Sequence, residues 1–252
     1  MNMQLTELSK IREPVKLDDL PVEQMRELQG ALAKLGYPVG DLDGLVGPRT
    51  RNAWSEFLID ESQGDPTIVD TAMIGVLQQH MAKLAKPSNH DFSTRDGTIA
   101  AIIEECKKQG LGLRNQIAYV LATTQHETAN SFQPVKEAYY LGDKAEAYRK
   151  TLKYYPYYGR GYVQLTWKKN YETYGHLLGV DLVNNPDLAL QPEVALFVIV
   201  HGFKVGAFTG RPITKYIDAW HTDFVNARRC INGVDRAQHI AELATNFAKT
   251  LP

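Results

Sequence analysis

The apolar positions of this chain recur mostly at helical spacing. Val22, Met25, Leu28, Leu32 and Leu35 share one face of a helix over residues 21–36, and Gly36 suits its end. The following stretch, "YPVGDLDGLVGPRT", is dense in Gly, Pro and Asp and reads as a loop. A second helix is expected to start near Thr50 and to run through Ala53, Trp54 and Phe57. A third, over residues 71–84, carries Ile74, Leu77 and Met81. "KPSNHDFSTRDG" is polar and interrupted, the best linker candidate in the chain. Beyond it, helical patterns fall at about 97–109, 114–126, 143–153, 166–178, 191–205 and 213–249, the last with a break expected near "INGVD". Strand signals are few, although "RGYVQLTW" alternates well enough for a short hairpin strand. The pattern predicts a mainly α protein in three parts: a small three-helix bundle over 1–85, a linker over 86–97, and a larger α-helical domain over 98–252 with a short β-hairpin.

Composition narrows the class. With 44% hydrophobic and 23% charged residues the chain is an ordinary globular one. Its most apolar run, "VALFVIV", is far too short to cross a bilayer, so no stable membrane insertion is expected. Residues 1–85 carry 8 Lys/Arg against 13 Asp/Glu, and residues 86–252 carry 20 against 16. That mild basic bias of the second part is too weak to imply nucleic-acid binding. Cys106 and Cys230 stand far apart and outside any CxxC spacing, which predicts two buried free thiols. The start shows no basic segment followed by an apolar one, so no signal peptide is expected.

"TTQHETANSF" carries the first candidate chemistry. A zinc-protease motif would need a second His four residues after His126, and Asn130 stands there. The remaining histidines have no paired spacing, so neither a metal nor another cofactor is expected. Glu127 can instead be an acid in its own right. It ends a helix whose buried face carries Ile117, Val120, Leu121 and Thr124, and a partly desolvated carboxyl there would keep a proton available. Glycoside hydrolysis needs such a donor and a second carboxylate across the sugar, and Glu137 is the nearest candidate. The tyrosines of "YYPYYGRGYVQLTWKKNY" suit either a carbohydrate cleft or an aromatic core hairpin. Gln164, Thr166 and Asn170 fit the same groove, although Thr166 equally suits the cap of the next helix.

Two resemblances sharpen this reading. Leu28-Gln29, Leu35-Gly36-Tyr37, Asp43-Gly44 and Gly47-Pro48-Arg49-Thr50 resemble the signature of the three-helix peptidoglycan-binding domain found on many cell-wall hydrolases. This resemblance implies that the loop bearing Tyr37, Asp43 and Gly44 meets the wall, while the residue types alone also suit pure scaffold. In the larger part, His126-Glu127-Thr128, the Gly159-Arg160-Gly161 block through Tyr171, and "INGVDR" resemble the family 19 glycoside hydrolases, over roughly Ile117 to Phe247. These are the plant-type chitinases and their phage endolysin relatives, on a lysozyme-like α-helical fold.

The second resemblance implies that Glu127 is the general acid and that Thr166 orients the attacking water. It also implies sugar contacts at Asn170, Asn232 and Gln164, with Arg160 and Tyr162 in the same substrate-binding block. Glu137 as second carboxylate follows the shorter spacing of the endolysin branch. The implied function is a peptidoglycan-degrading endolysin of lysozyme (muramidase) type, a monomer whose partner is bacterial peptidoglycan. It would be held in the host cytoplasm until the membrane is opened. A chitinase and a non-catalytic wall-binding protein remain the alternatives.

Overall fold

The computed structural model describes residues 5–84 and 88–251, so residues 85–87, where the first part was expected to give way to the linker, lie outside the described residues. The chain divides into two compact units, one of Met1–Lys86 with His176–Gly179, the other of Pro87–Gly175 with Val180–Pro252.

The N-terminal unit is a three-helix bundle. Strand β1 (Val15–Lys16) precedes helix α1 (Val22–Leu35), which ends at Gly36 in a left-handed turn. Helix α2 (Pro48–Asp60) starts two residues before the expected Thr50. Pro48 fits the first turn because its missing N–H has no partner to lose there. Strand β2 (Ile68–Val69) pairs antiparallel with β1 and leads into α3 (Thr71–Leu84). Met25, Leu28, Leu32, Trp54, Phe57, Ile74, Leu77 and Met81 form the core, as the helical spacing predicts. Val22 does not, being exposed at the first turn of α1. The periodicity gave no sign that Leu5, Leu8, Ile11 and Leu17, outside any long element, also fill this core.

Gln29, on α1 and buried, organises the Gly-rich loop. Its Nε2 donates to Asp43 Oδ1 (3.1 Å), the Leu45 carbonyl (3.0 Å) and Thr50 Oγ1 (3.2 Å), and its Oε1 accepts from the Gly44 N–H (2.9 Å). Gly44 has φ +79°, and a Cβ there would stand 2.6 Å from Val22 Cγ1, so only glycine fits.

The second unit is also mainly helical. Helix α4 (Arg95–Lys108) begins inside the expected linker, because the Thr94 hydroxyl accepts from the Gly97 N–H and starts the helix there. Helix α5 (Arg114–Glu127) is buried from Gln116 to Thr124 and packs on α4 and α9. Strand β3 (Val135–Lys136) and the short helix α6 (Ala145–Lys150) follow. Strand β4 (Arg160–Gly161) pairs antiparallel with β3. The expected hairpin strand is therefore only two residues long. The backbone turns back at once, with Leu165 bridging to Arg160 and Gln164 at φ +57°.

Helix α7 (Lys168–Leu178) and the largely buried α8 (Pro192–Val205) match their predicted positions. The break expected near "INGVD" is present, but the stretch of the 213–249 pattern ahead of it is not one helix. Short 3-10 turns at Ile213–Lys215 and Asn226–Cys230 precede α9 (Ala237–Thr250). Asp218 and Asp223 explain the interruption, since their carboxylates accept backbone N–H groups of Trp220, His221 and Asn226 and compete with helical bonding. Cys106 and Cys230 are buried free thiols. No helix among the described residues is long and apolar enough to cross a membrane.

Candidate active site

Glu127 stands at the last position of α5, where the buried run of that helix stops. Its side chain is 17% exposed, and Oε1 accepts a hydrogen bond from Arg228 Nη1 at 2.8 Å. Arg228 lies in the Asn226–Cys230 turn, is 4% exposed, and donates through Nε to the Asp235 carbonyl at 3.1 Å. The sequence led to the expectation of a partly desolvated carboxyl but not of a buried guanidinium beside it. Beside Glu127, His126 packs edge-on against His239, with ring centroids 5.6 Å apart, and burial pulls its imidazole below the usual range. Among the described residues no group of three or more His, Cys, Asp or Glu is placed to hold a metal ion.

Glu137 follows β3 and is held at both carboxylate oxygens. The Tyr154 hydroxyl donates to Oε1 at 2.9 Å and the Gly159 N–H donates to Oε2 at 2.8 Å. The Glu137 backbone is pinned as well: its N–H donates to the Gly159 carbonyl (2.7 Å) and its carbonyl accepts from Arg149 Nε (2.8 Å). A Cβ at Gly159 would lie 2.6 Å from Gln164 Oε1, so a larger residue there would displace the Gln164 side chain. Burial, and then the bond to Glu137, push the Tyr154 phenol up to about 12.

Thr166 is half-buried, and its carbonyl accepts from Asn170 Nδ2 at 2.8 Å. Trp167, between them, has a left-handed φ of 70° and is 46% exposed. Its ring lies 5.1 Å from that of Tyr154, with Lys153 Nζ 5.1 Å from its centroid. Asn232 is exposed and belongs to the loop of Arg228, whose carbonyl accepts its N–H at 2.9 Å. The structure thus ties Glu127 to the loop of Arg228 and Asn232, Glu137 to Tyr154 and Gly159, and Thr166 to Asn170.

Three residues expected in the groove are placed differently. Tyr162 is 0% exposed and belongs to the core. Arg160 is buried too, with Nε on Asp187 Oδ1 at 2.8 Å, Nη1 shared among the Pro156 and Tyr158 carbonyls and Tyr171 Oη, and its guanidinium stacked 3.7 Å from the Tyr158 ring centroid. Its fork of donors is spent on holding the Tyr-rich segment together. Gln164 donates to the Val135 (3.1 Å) and Gly161 (3.4 Å) carbonyls and braces β3 against the turn after β4.

Arg228, Tyr154 and Trp167 are the groups the sequence reading did not single out. Basic residues just ahead of "INGVDR" were the available signal for the first. The other two sat unremarked within the quoted Tyr-rich block.

In the N-terminal unit the three candidate wall-binding residues all have scaffold roles. Asp43 and Gly44 are bound to Gln29, and the Leu45 N–H and the Gln29 amide hold the Asp43 carboxyl below its ordinary range. Tyr37 donates to Asp60 Oδ2 at 2.7 Å and packs edge-on against Phe57.

Comparison with known proteins places this chain in a family. The family model described as "Chitinase class I", glycoside hydrolase family 19, matches residues 91–221, just over half of the chain. The match starts earlier than the motif resemblance does and stops before Arg228 and Asn232. Chitinase 11 of Oryza sativa subsp. japonica is 35% identical over 99 residues, 39% of this chain and 39% of that protein. Chitinase 8 of the same plant is 35% identical over 102 residues, 40% of this chain and 38% of that protein. An inactive chitinase-like protein 1 of Hevea brasiliensis is 33% identical over 98 residues, covering 33% of this chain and 31% of its own length. The chain therefore spans well under half the length of these relatives. Among solved structures, chitinase C of Streptomyces griseus HUT6037 aligns at 24% identity, over 67% of this chain and 74% of that one, with a TM-score of 0.42. On the family match over residues 91–221, this chain belongs to family 19 of the glycoside hydrolases.

Proposed function

We propose that the protein is a peptidoglycan hydrolase, an endolysin of muramidase type that cuts the β-1,4 bond between N-acetylmuramic acid and N-acetylglucosamine. The observation that carries the hydrolytic reading is the pair of carboxylates in unlike settings. Glu127 is at a helix end against Arg228, and Glu137 is held rigidly by Tyr154 and Gly159. Glycoside hydrolysis calls for two carboxyl groups with different roles across the sugar.

In the proposed reaction Glu127 gives its proton to the glycosidic oxygen as the bond to the anomeric carbon breaks. Glu137 takes a proton from a water that Thr166 also orients, and the water oxygen bonds to that carbon from the opposite face. This inverting scheme requires carboxyls about 6.5–9.5 Å apart. Arg228 bonds Glu127 Oε1, so the donated proton would be carried on Oε2. Asn170 and Asn232 would contact the sugars. The chemistry uses side chains and water alone.

Specificity for peptidoglycan rests on the N-terminal bundle, whose Leu28-to-Phe57 motif supports a wall-binding role with Tyr37, Asp43 and Gly44 shaping the contact loop. The enzyme would act as a monomer, made in the bacterial cytoplasm and reaching the wall once the membrane is opened. Chitin is the second reading, favoured by the chitinases among the relatives.

Mass spectrometry of reducing ends released from purified peptidoglycan, with chitin in parallel, decides between these readings. Release of fragments with muramic acid at the reducing end is the expected result. Chitin oligosaccharides without muropeptides would replace the proposal with a chitinase. Release from neither would leave a non-catalytic wall-binding protein, a reading with a precedent in the inactive Hevea brasiliensis relative.

A further inference from the structure

We infer that Tyr154 is a positioning residue for Glu137: its hydroxyl fixes the orientation of the carboxylate that receives the water proton, and its ring ties that carboxylate to the Trp167 platform. The inference rests on the proposed role of Glu137 as the base.

The geometry is specific. Glu137 Oε2 is committed to the Gly159 N–H, a backbone donor that no side-chain change removes. Oε1 is committed to Tyr154, the one side-chain donor bonded to this carboxylate among the described residues. Two donors on one carboxylate fix the plane of the group. A general base needs that property, because it must aim a lone pair at the water. Burial and the carboxylate itself push the phenol up to about 12, so Tyr154 remains a donor throughout the working range.

The ring of Tyr154 has a second contact. It lies 5.1 Å from the ring of Trp167, tilted 55°. Trp167 holds a left-handed φ of 70°, unusual for a bulky side chain, and its ring is 46% exposed directly between Thr166 and the helix that carries Asn170. An exposed indole in that position suits stacking on a sugar face. A sugar that presses on Trp167 would bear on Tyr154 and through its hydroxyl on Glu137.

The other charged groups around this carboxylate are already occupied. Arg149 donates to the Glu137 carbonyl rather than to its carboxylate and approaches Glu146. Lys136 and Arg160 both bind Asp187. Lys153 lies over Trp167. The Tyr154 hydroxyl is therefore the side-chain contact whose removal frees the Glu137 carboxylate most directly.

Tyr154→Phe keeps the ring against Trp167 and removes only the hydroxyl. The experiment measures kcat and KM separately on soluble glycan fragments for the full-length wild type, Tyr154→Phe and Glu137→Gln, with a thermal melt of each. Loss of the hydroxyl frees the carboxylate to turn away from the water, so kcat of Tyr154→Phe is expected to fall about tenfold with KM and the melt little changed. A wild-type kcat in Tyr154→Phe, with Glu137→Gln inactive, overturns the inference while sparing the proposed base. Near-normal activity of Glu137→Gln overturns the base assignment and the inference with it. If Tyr154→Phe melts early, kcat is read on the surviving folded fraction at low temperature, where a wild-type value still overturns the inference.

Discussion

Glu127 and Arg228 form a contact whose two members have different duties. Glu127→Gln keeps an oxygen on Arg228 and removes the transferable proton. It is therefore expected to keep the fold and wall binding and to lower peptidoglycan hydrolysis about 10²–10⁴-fold, measured as released reducing ends. Turnover within a few-fold of wild type would remove Glu127 from the acid role. Arg228→Ala leaves a mostly buried carboxylate without its cation and strips a donor from the Asp235 carbonyl. A loss of about 3 kcal/mol in urea unfolding is expected, with activity falling alongside. An unfolding midpoint equal to wild type would mean that water replaces the guanidinium at no cost. Glu127 was legible in the sequence because His126-Glu127-Thr128 is a contiguous motif. Arg228 was not, because it is 101 positions away and no local pattern marks the partner of a carboxylate.

Helix α1 illustrates what periodicity can and cannot tell. Its core face was predictable from spacing, since burial of one stripe is what drives an amphipathic helix to pack. Gln29 was visible only as part of a motif, yet it makes four hydrogen bonds that hold the loop from Asp43 to Thr50. Gln29→Ala leaves the Gly44 N–H and the Thr50 hydroxyl buried without this partner. A destabilisation of about 2–3 kcal/mol is expected, with faster amide exchange in residues 43–47 than in α1. Uniform exchange rates across the two would show that the loop holds without Gln29. The 213–249 pattern erred in the opposite direction. Its apolar spacing is helical, but side chains such as Asp218 capture backbone N–H groups that a helix would need. "RGYVQLTW" is cut to a two-residue strand by a different cause, the turn at Gln164, whose φ is +57°.

Across the chain, the N-terminal bundle and the hydrolase unit are proposed to divide binding from cleavage. Deleting residues 1–85 is expected to weaken binding to purified walls about 100-fold while changing hydrolysis of short soluble fragments little, read by co-sedimentation and by fragment turnover. Equal wall binding by the truncated and full chains would refute the binding role of the bundle. The amino-acid order alone determined the mainly helical class, most helix positions and the division into a small and a large part, and it offered Glu127, Thr166 and Asn170 as candidates through their motifs. These features are local, or repeat at the period of the helix, so they can be read without knowing the path of the backbone. Only the tertiary structure decided that Tyr162 and Arg160 are buried supports, that Gln164 is a brace, and which donors hold each carboxylate. Glu137 meets Tyr154 across 17 positions and Glu127 meets Arg228 across 101, and such contacts depend on how turns and packed helices bring distant segments together.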